Sequence, residues 1–399
     1  MMQLKIWKKE AKLRKRGLAL VTALLIALTA WKPMHAQAQI EVTAPSVILI
    51  ERSTGSTIFE KNADERRSPA SITKIMTLLV TFDQIRAGKA DLTDSVLVSE
   101  HAASMGGSQV YLAQGEVQTL DVMLKCIAVA SGNDASVAVA EHVAGSEEAF
   151  VKMMNDKAQA LGMTGSHFVD CCGLTDSDDH YVTARDVAVM SRELITEYPE
   201  IYDYSGIWME DITHVTRQGS SKFTLSSTNK LLKRYQYCTG LKTGSTQKAK
   251  YCISATASRD GIDLIAVVLG AEEPKTRFSE AQMLLTYGFG ACRLYRDEVP
   301  PELPTLPVKN GLEEKIQLRY EENFTYLDLE GLPFDEIERR LELPKEVQAP
   351  VTEGEVAGYV VYSCRGAQLG QLPVYYQTTI DKAGFGDFFL FCVRKWLFS

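Results

Sequence analysis

The 399-residue sequence predicts an α+β protein in which an antiparallel sheet is flanked by helices and a small all-β domain follows. Three observations lead to this prediction. Strand-like runs occur near both ends of the first 290 residues, and the segment between them has the apolar periodicity of helices. Early and late strands of such a chain can share one sheet. Four prolines between positions 300 and 307 then mark a domain boundary, after which short alternating runs predominate.

The first 38 residues are typical of a secretory signal peptide. Residues 1–16 carry seven Lys or Arg, residues 17–31 are apolar, and the AQA stretch at 36–38 has the small residues of a cleavage site. The apolar core is shorter than the roughly 20 residues that a membrane-spanning helix needs. We therefore expect cleavage near Ala38 and an exported mature protein. An uncleaved membrane anchor is the alternative.

Charge and cysteine content narrow the class of protein further. The chain has 51 Asp or Glu against 43 Lys or Arg, and removal of the basic leader makes the mature part still more acidic. We therefore expect no sequence-independent binding to nucleic acid. All eight cysteines lie after the leader, where export would permit disulfides. Because most of them sit singly in apolar runs, we expect mostly free, buried thiols.

The first predicted elements of the mature chain are two short strands and a helix. Residues 47–51 (VILIE) and 56–60 (STIFE) flank a glycine-containing turn. A polar loop then leads to an apolar helix that begins near residue 68. Ser68 as its N-cap and Pro69 at its first position are both favoured placements.

The remaining elements of the first domain follow in order. Helical periodicity covers residues 118–130, 134–160, 183–197 and 276–290, and strand-like patterns cover residues 248–257 and 262–269. The helix predicted over residues 183–197 opens with Thr183. Asp186 stands three residues later, as in a capping box with the shorter acid. The SRDG sequence between the two strands predicts a hairpin.

Three further segments are predicted after residue 297. Residues 298–309 form a proline-rich linker, residues 310–382 a small β-rich domain, and residues 383–399 an amphipathic tail. The tail is apolar and aromatic, with Arg394 and Lys395 near its end. It is too short to span a bilayer but suits a helix that lies on the membrane surface. The alternative is a terminal helix docked on the protein.

The stretch SPASITKIMT, residues 68–77, contains a candidate nucleophile and base. Ser71 and Lys74 are three residues apart on the predicted helix, beside its apolar stripe, so their side chains can touch. A serine hydroxyl is a weak nucleophile until a base takes its proton. A lysine can be that base if burial or another cation lowers its pKa. An S-x-x-K tetrapeptide alone is weak evidence, since it recurs by chance.

Two later motifs could complete this pair. Residues 131–133 (SGN) follow an apolar helix directly, at a turn that can present a hydroxyl and an amide to a cleft. Residues 242–244 (KTG) would offer a cation, a hydroxyl and an unobstructed backbone. Each motif alone has an ordinary structural explanation. Together and in this order they match the set known from penicillin-binding proteins and class A β-lactamases.

The chain resembles the low-molecular-mass penicillin-binding proteins of the serine-type D-alanyl-D-alanine carboxypeptidase family, peptidase family S11. The likeness includes RSPASITKIMT, GGSQVYLAQGE, VASGNDAS, GLTDSDDHYVTARD, STNKLLKRY and GLKTGSTQKAKYC. It is strong over residues 40–292 and looser in the β-rich domain. The resemblance implies a β-lactamase/transpeptidase-like catalytic domain over residues 39–297, which needs no cofactor. It also implies peptidoglycan stem peptides as substrates and β-lactam antibiotics as inhibitors.

The resemblance assigns roles around the nucleophile. Ser71 would form the acyl-enzyme, and Lys74 would be the base that activates it. Ser131 would relay a proton toward the leaving D-alanine, and Asn133 would hold amide groups of the peptide. The backbone N–H groups of Ser71 and Ser245 would form the oxyanion hole.

The resemblance also assigns roles in holding the substrate's terminal carboxylate. Lys242 would attract this carboxylate and would lower the pKa of Lys74 by adding positive charge. Thr243 would donate a hydrogen bond to the same carboxylate. Gly244 leaves the strand edge open to an extended substrate. Arg277, in the last helix of the catalytic domain, matches a family arginine near the carboxylate.

Two segments depart from the family's pattern. Lys250 stands in an Ala-Lys-Tyr sequence where the family commonly has Ala-Gly before the aromatic residue. Cys171 and Cys172 precede Gly173 where the family often has a histidine. Neither departure touches a catalytic position, so both bear on substrate preference rather than on the reaction.

A metal site and a Ser-His-Asp triad are both disfavoured by the sequence. Residues of metal-ligand type cluster between positions 167 and 180, at His167, Asp170, Cys171, Cys172 and His180. Adjacent cysteines do not give the usual C-x₂-C spacing and no H-E-x-x-H is present, so we expect no metal. The chain also has no G-x-S-x-G.

Two further functions remain as alternatives to the carboxypeptidase. A β-lactamase would need an additional base to hydrolyse its acyl-enzyme quickly, and the sequence offers no clear candidate. A catalytically silent peptidoglycan-binding module would not require all three motifs to be intact, as they are here. The sequence gives no indication of the oligomeric state.

Overall fold

A computed structural model of the chain describes residues 40–216 and 219–387. The predicted signal peptide, residues 388–399 of the predicted tail and Cys392 lie outside the described part. The described residues from Val42 onward belong to one compact unit. No helix in this part of the chain is long and apolar enough to cross a membrane.

The N-terminal part, up to Arg296, contains nine α-helices and ten strands among the described residues. The helices are Lys74–Arg86 (α1), Glu100–Ala103 (α2), Leu120–Ala128 (α3), Asn133–Ala144 (α4), Glu147–Ala160 (α5), Ala184–Glu197 (α6), Ile201–Ser205 (α7), Leu231–Arg234 (α8) and Pro274–Ala291 (α9). The strands are Ser46–Glu51 (β1), Thr57–Lys61 (β2), Ser95–Leu97 (β3), Val117–Thr119 (β4), Met209–Thr216 (β5), Gly219–Ser226 (β6), Cys238–Thr246 (β7), Lys250–Arg259 (β8), Ile262–Ala271 (β9) and Arg293–Arg296 (β10). A 3₁₀ turn, Ala70–Thr73, precedes α1.

The central sheet has the strand order β2-β1-β9-β8-β7, with all neighbours antiparallel. All six residues of β1 are buried, and β1 pairs with β2 on one side and with β9 on the other. This burial explains its continuous apolar run. The prediction that early and late strands share one antiparallel sheet is therefore confirmed. Helix α9 contacts β8 and β9, and α6 contacts β1 and β9.

Helix α1 is the centre of the helical part of the domain. It contacts α3, α4, α5 and α6, and its first nine residues are all buried. Even Thr77 and Thr81 are inaccessible to solvent. Because no side of these turns faces water, a charged residue at the start of α1 is forced into the interior.

Two local predictions differ from the structure, and one element was missed. Ser68 and Pro69 do not start an α-helix, because the 3₁₀ turn intervenes and α1 begins at Lys74 without a side-chain cap. The helix predicted over 134–160 is two helices, since Gly145 has φ 82° and Ser146 caps α5. The β5–β6 hairpin was not predicted. By contrast, the Thr183 cap is confirmed, its side chain accepting from the N–H of Asp186.

The C-terminal part is a small β domain, as predicted. Its strands are Leu306–Lys309 (β11), Lys315–Ile316 (β12), Leu318–Arg319 (β13), Thr325–Asp328 (β14), Ile337–Glu342 (β15), Val347–Gln348 (β16), Val356–Cys364 (β17) and Ala367–Tyr376 (β18). They form sheets in the orders β12-β11-β16 and β13-β18-β17-β15, and β14 pairs with β10. Its core includes a stacked pair, Phe324 and Tyr362, with ring centroids 3.7 Å apart.

The linker in the structure is shorter than the predicted one. Residues 306–309 were assigned to it, but they form β11, which pairs on both sides, and Leu306 is buried in the core of the β domain. Strand β10, inside the predicted catalytic range, pairs with β14 of the β domain. Proline-rich composition therefore marks only the start of the boundary. All seven described cysteines are free and six are buried, in line with the expectation of free thiols.

Candidate active site

The candidate site lies where the 3₁₀ turn before α1 meets the edge strand β7. Ser71 is in this turn and is half-buried. At Gly244 of β7, an added Cβ would stand 2.9 Å from the backbone nitrogens of Ser71 and Ile72. Only glycine therefore allows β7 to approach the turn this closely. The structure thus brings the first and third predicted motifs together.

Lys74, the first residue of α1, is fully buried beside Ser71. Its Nζ donates to Ser71 Oγ at 3.1 Å, to Asn133 Oδ1 at 2.6 Å and to the Cys172 carbonyl at 2.8 Å. The last two acceptors cannot give a proton back. In the neutral amine, Nζ can keep these two hydrogen bonds and direct its lone pair at the Ser71 hydroxyl. The geometry is that of a base poised for one serine.

Burial lowers the pKa of Lys74 below its usual value. The nearby groups of Cys172, Cys171, Asp170 and Asp134 oppose this shift and hold the pKa higher than burial alone would. The sequence attributed the lowered pKa to Lys242, whereas in the structure desolvation is the main cause. At any given pH, Lys74 is therefore neutral in a larger fraction of molecules than a solvent-exposed lysine would be.

Lys242 is the second buried lysine of the site. It is 1% exposed, and its Nζ donates to the carbonyl of Thr243 at 3.0 Å. Burial, followed by repulsion from Lys74 and Arg277, sets its pKa well below the usual value. An anionic ligand between these cations would relieve the repulsion and favour their charged forms.

Residues 131–133 join the site through the loop between α3 and α4. Ser131 has φ 62° and is 3% exposed, and its Oγ has no hydrogen-bond partner among the described residues. Asn133 begins α4, and its Nδ2 donates to the Gly106 carbonyl at 2.7 Å while its Oδ1 accepts from Lys74. The predicted substrate contact of Asn133 therefore has to use its second amide N–H.

The remaining predicted residues surround β7. Thr243 Oγ1 donates to Thr228 Oγ1 at 2.7 Å. Arg277 is 9% exposed, and its Nη1 donates to the Gly244 carbonyl at 2.9 Å. Its Nε has no partner within the described residues. Ser245 follows Gly244 and is exposed, on an edge strand whose free side can bind an extended peptide.

The loop that positions the Cys172 carbonyl was not recognised in the sequence. The Asp170 carboxylate accepts from the N–H groups of Cys172 and Thr175, each at 2.9 Å, and also from that of Gly173. An added Cβ at Gly173 would lie 1.8 Å from the Ala70 carbonyl oxygen, so the loop packs directly on the Ser71 turn. The unusual cysteines thus contribute backbone carbonyls. The only available signal was the short D-C-C-G spacing.

His180 is a second residue that sequence reasoning considered only as a metal ligand. Its Nδ1 accepts from the Val169 N–H at 3.1 Å, so Nε2 carries the proton and donates to Thr73 Oγ1 at 2.8 Å. Thr73 in turn donates to the Ala70 carbonyl. His180 therefore orders the turn that carries Ser71. No group of three ligand-type side chains suited to a metal occurs in the described ranges.

A serine beside a buried lysine, with a second buried lysine on an adjacent edge strand, defines a serine acyl-transfer enzyme. Comparison with known proteins identifies which one. The D-alanyl-D-alanine carboxypeptidase family, peptidase S11, matches residues 32–273. The C-terminal domain of penicillin-binding protein 5 matches residues 297–382.

Individual relatives agree with this assignment. The chain is 39% identical to the D-alanyl-D-alanine carboxypeptidase DacF of Bacillus subtilis (strain 168), over 88% of this chain and 90% of that protein. It is 32% identical to DacC of Escherichia coli (strain K12), over 96% and 97% of the two chains. Penicillin binding protein 5 from Haemophilus influenzae has the same fold, with a TM-score of 0.74 and 29% identity over 86% of this chain and 99% of that one. The chain belongs to the D-alanyl-D-alanine carboxypeptidase family, which confirms the predicted family and fold class.

Proposed function

We propose that the protein removes the terminal D-alanine from peptidoglycan stem pentapeptides through an acyl-enzyme on Ser71, without a cofactor. One observation carries this proposal. Lys74 is fully buried, is fixed by Asn133 Oδ1 and the Cys172 carbonyl, and lies 3.1 Å from Ser71 Oγ. Such an amine is suited to take one proton and return it.

Acylation would begin when neutral Lys74 takes the Ser71 proton and Oγ attacks the carbonyl between the two terminal D-alanines. The N–H groups of Ser71 and Ser245 would bind the oxyanion, each at about 3 kcal/mol. Ser131, whose buried Oγ has no partner within the described residues, would deliver the proton from Lys74 to the departing amine. Water activated by Lys74 would then hydrolyse the ester and release the shortened peptide.

The substrate's terminal carboxylate would bind between Lys242, Thr243 and Arg277. Support comes from the repulsion between these cations, which an anion would relieve, and from the unpartnered Nε of Arg277. Asn133 would use its free amide N–H on the peptide. A β-lactam would occupy the same positions with its own carboxylate and carbonyl, so penicillin is expected to acylate Ser71.

The domain organisation and location form part of the same proposal. Residues 39–297 would be the catalytic domain, and the β-rich domain would begin at β11 rather than at residue 310. The predicted signal peptide would export the protein, and residues 383–399 would hold it at the outer face of the cytoplasmic membrane. Relatives named as D-alanyl-D-alanine carboxypeptidases support an extracytoplasmic site of action.

Mass spectrometry of the intact protein after exposure to penicillin tests this proposal. We expect one adduct, on the peptide that contains Ser71, and release of D-alanine from a pentapeptide that is lost in Ser71→Ala. An adduct on another residue would contradict the assignment of the nucleophile. Rapid turnover of nitrocefin would instead support a β-lactamase.

A further inference from the structure

A pocket of about 320 Å³ opens at the C-terminal end of β7, next to the candidate active site. It is lined by Ser245, Thr246, Gln247, Lys250, Tyr251 and Glu272. Only Ser245 has been given a role in the reaction. The pocket is thus continuous with the position of the scissile carbonyl but extends beyond it.

Lys250 occupies a backbone conformation that favours glycine. Its φ is 57°, in the left-handed region, and it directly follows the turn between β7 and β8. Glycine would adopt this conformation without strain. A lysine held here therefore places an ammonium group on the pocket wall against the preference of the backbone.

The two lysines of this turn differ in their partners. Lys248 Nζ donates to the Asp176 carbonyl at 2.7 Å and to Asp178 Oδ1 at 2.6 Å, so it holds the turn against the neighbouring loop. Lys250 Nζ lies 3.6 Å from Glu272 Oε2, and the two side chains are 48% and 80% exposed. Such an exposed, long ion pair contributes little to stability and exchanges readily for a ligand.

The direction of the bound peptide follows from the positions along β7. The terminal carboxylate is assigned to Lys242 and Thr243, and the scissile carbonyl to Ser245. Continuing in the same direction, Thr246 and the residue opposite it on β8, Lys250, lie on the acyl side of Ser245. The pocket therefore receives the side chain of the residue that precedes the two terminal D-alanines.

We propose that this pocket selects a substrate side chain that ends in both a carboxylate and an ammonium group. The carboxylate binds Lys250, and the ammonium group binds Glu272. A side chain with one charge pairs with only one of these two residues, and an apolar side chain pairs with neither. This inference rests on the proposed carboxypeptidase function and adds its side-chain preference.

Four pentapeptides that differ only in the third residue test this selection. Their side chains end in both groups (a diamino dicarboxylic acid), in an ammonium group (lysine), in a carboxylate (2-aminopimelate) or in a methyl group (norleucine). The measured quantity is kcat/KM for D-alanine release. We expect the wild-type protein to prefer the doubly charged peptide over norleucine by about three- to tenfold.

Substitutions of Lys250 and Glu272 test the two charged contacts separately. Lys250→Met and Lys250→Gly should each remove the preference for carboxylate-bearing peptides, and the glycine variant also removes the backbone strain. Glu272→Gln should remove the preference for ammonium-bearing peptides. Lys275→Met is the matched control, because Lys275 is exposed nearby but does not line the pocket. It should keep the wild-type ranking.

Specific results would overturn the proposal. Equal kcat/KM for all four peptides in the wild-type protein would do so, as would an unchanged ranking in both Lys250 variants. Penicillin acylation, measured in parallel, keeps this failure distinct from failure of the proposed function. A protein that is acylated on Ser71 and releases D-alanine from all four peptides equally is a carboxypeptidase without this selection. A protein that does neither contradicts both proposals.

Discussion

The candidate active site and the C-terminal β domain bury charge in opposite ways. In the described structure, Lys74 and Lys242 are at most 1% exposed and have no carboxylate among their hydrogen-bond partners. In the β domain, buried Asp328 accepts from the side chain of Arg293 and from three backbone N–H groups. A compensated charge can stabilise a fold, whereas an uncompensated one is poised to change its protonation state. The difference separates charges that hold structure from charges that do chemistry.

The largest expected effect comes from removing the uncompensated charge. Lys74→Met should slow penicillin acylation by about 10²- to 10⁴-fold, because Ser71 loses its base. The midpoint of thermal unfolding should change little, because removal of a buried amine offsets the loss of its hydrogen bonds to Asn133 Oδ1 and the Cys172 carbonyl. Acylation followed by intact-protein mass spectrometry and a thermal melt check the two parts. A variant that acylates normally would remove Lys74 from the mechanism.

A second change gives the catalytic site the pairing found in the β domain. Asn133→Asp would place a carboxylate where Oδ1 now lies, 2.6 Å from Lys74 Nζ, and should raise the pKa of Lys74. Acylation requires the neutral amine, so its rate falls as pH drops below this pKa. In the variant the fall should begin at a higher pH, with acylation at neutral pH slowed about tenfold or more.

The acylation rate of both proteins measured from pH 6 to pH 10 tests this shift. Superimposable profiles would show that Lys74 does not control the rate. Asn155→Asp provides a control for the substitution itself, because Asn155 lies in α5 and bonds the backbone of Val151 and Phe168 away from the lysines.

The reverse change removes compensation from the β domain. Asp328→Asn keeps the shape but weakens the contacts to Arg293 and to the N–H groups of Glu330, Gly331 and Leu332. We expect a loss of about 1–2 kcal/mol in the free energy of unfolding. Penicillin acylation should be unaffected. Denaturant unfolding measures the change in the free energy of unfolding. A simultaneous loss of acylation would contradict the separation of the two regions.

The smallest effect is expected from a neutral group that supports the catalytic turn. Burial lowers the pKa of His180, so the unfolded chain binds a proton more readily than the folded one. Its contribution to stability is complete above about pH 6.5 and is lost as pH falls below that value. The melting temperature of His180→Gln should therefore change less between pH 7.5 and pH 5 than that of the wild type. Equal pH dependence in both proteins would contradict this role.

Sequence patterns predicted the elements whose signals are local. The β8–β9 hairpin and the Thr183 cap follow from alternation and from a hydroxyl three residues before an acid. The predicted start of α1 was wrong, although Ser68 and Pro69 are residue types that commonly begin a helix. The 3₁₀ turn Ala70–Thr73 is shaped instead by contacts with His180, Gly173 and β7. Those contacts come from residues far along the chain, and no local pattern encodes them.

The candidate site shows the same division. The three motifs indicated Ser71, Lys74, Lys242 and their neighbours by residue type and order. They did not reveal that the Cys172 carbonyl fixes Lys74, since a backbone carbonyl has no signature of its own in sequence. Nor did they show that desolvation, rather than a neighbouring cation, is the main cause of the low pKa of Lys74. Burial is a property of the assembled helices around α1.

The pairing of β1 with β9 also sets an order of events in folding. Ser46 is opposite Leu269, so the first strand of the domain cannot be paired on that side until more than 220 later residues are present. Until then the backbone N–H and C=O groups on that edge of β1 lack their partner strand. A chain that is exported through its predicted signal peptide emerges with its N-terminal part first. In a chain exported in this way, the central sheet would close only after β9 had emerged, and the catalytic cleft would assemble once most of the domain was outside.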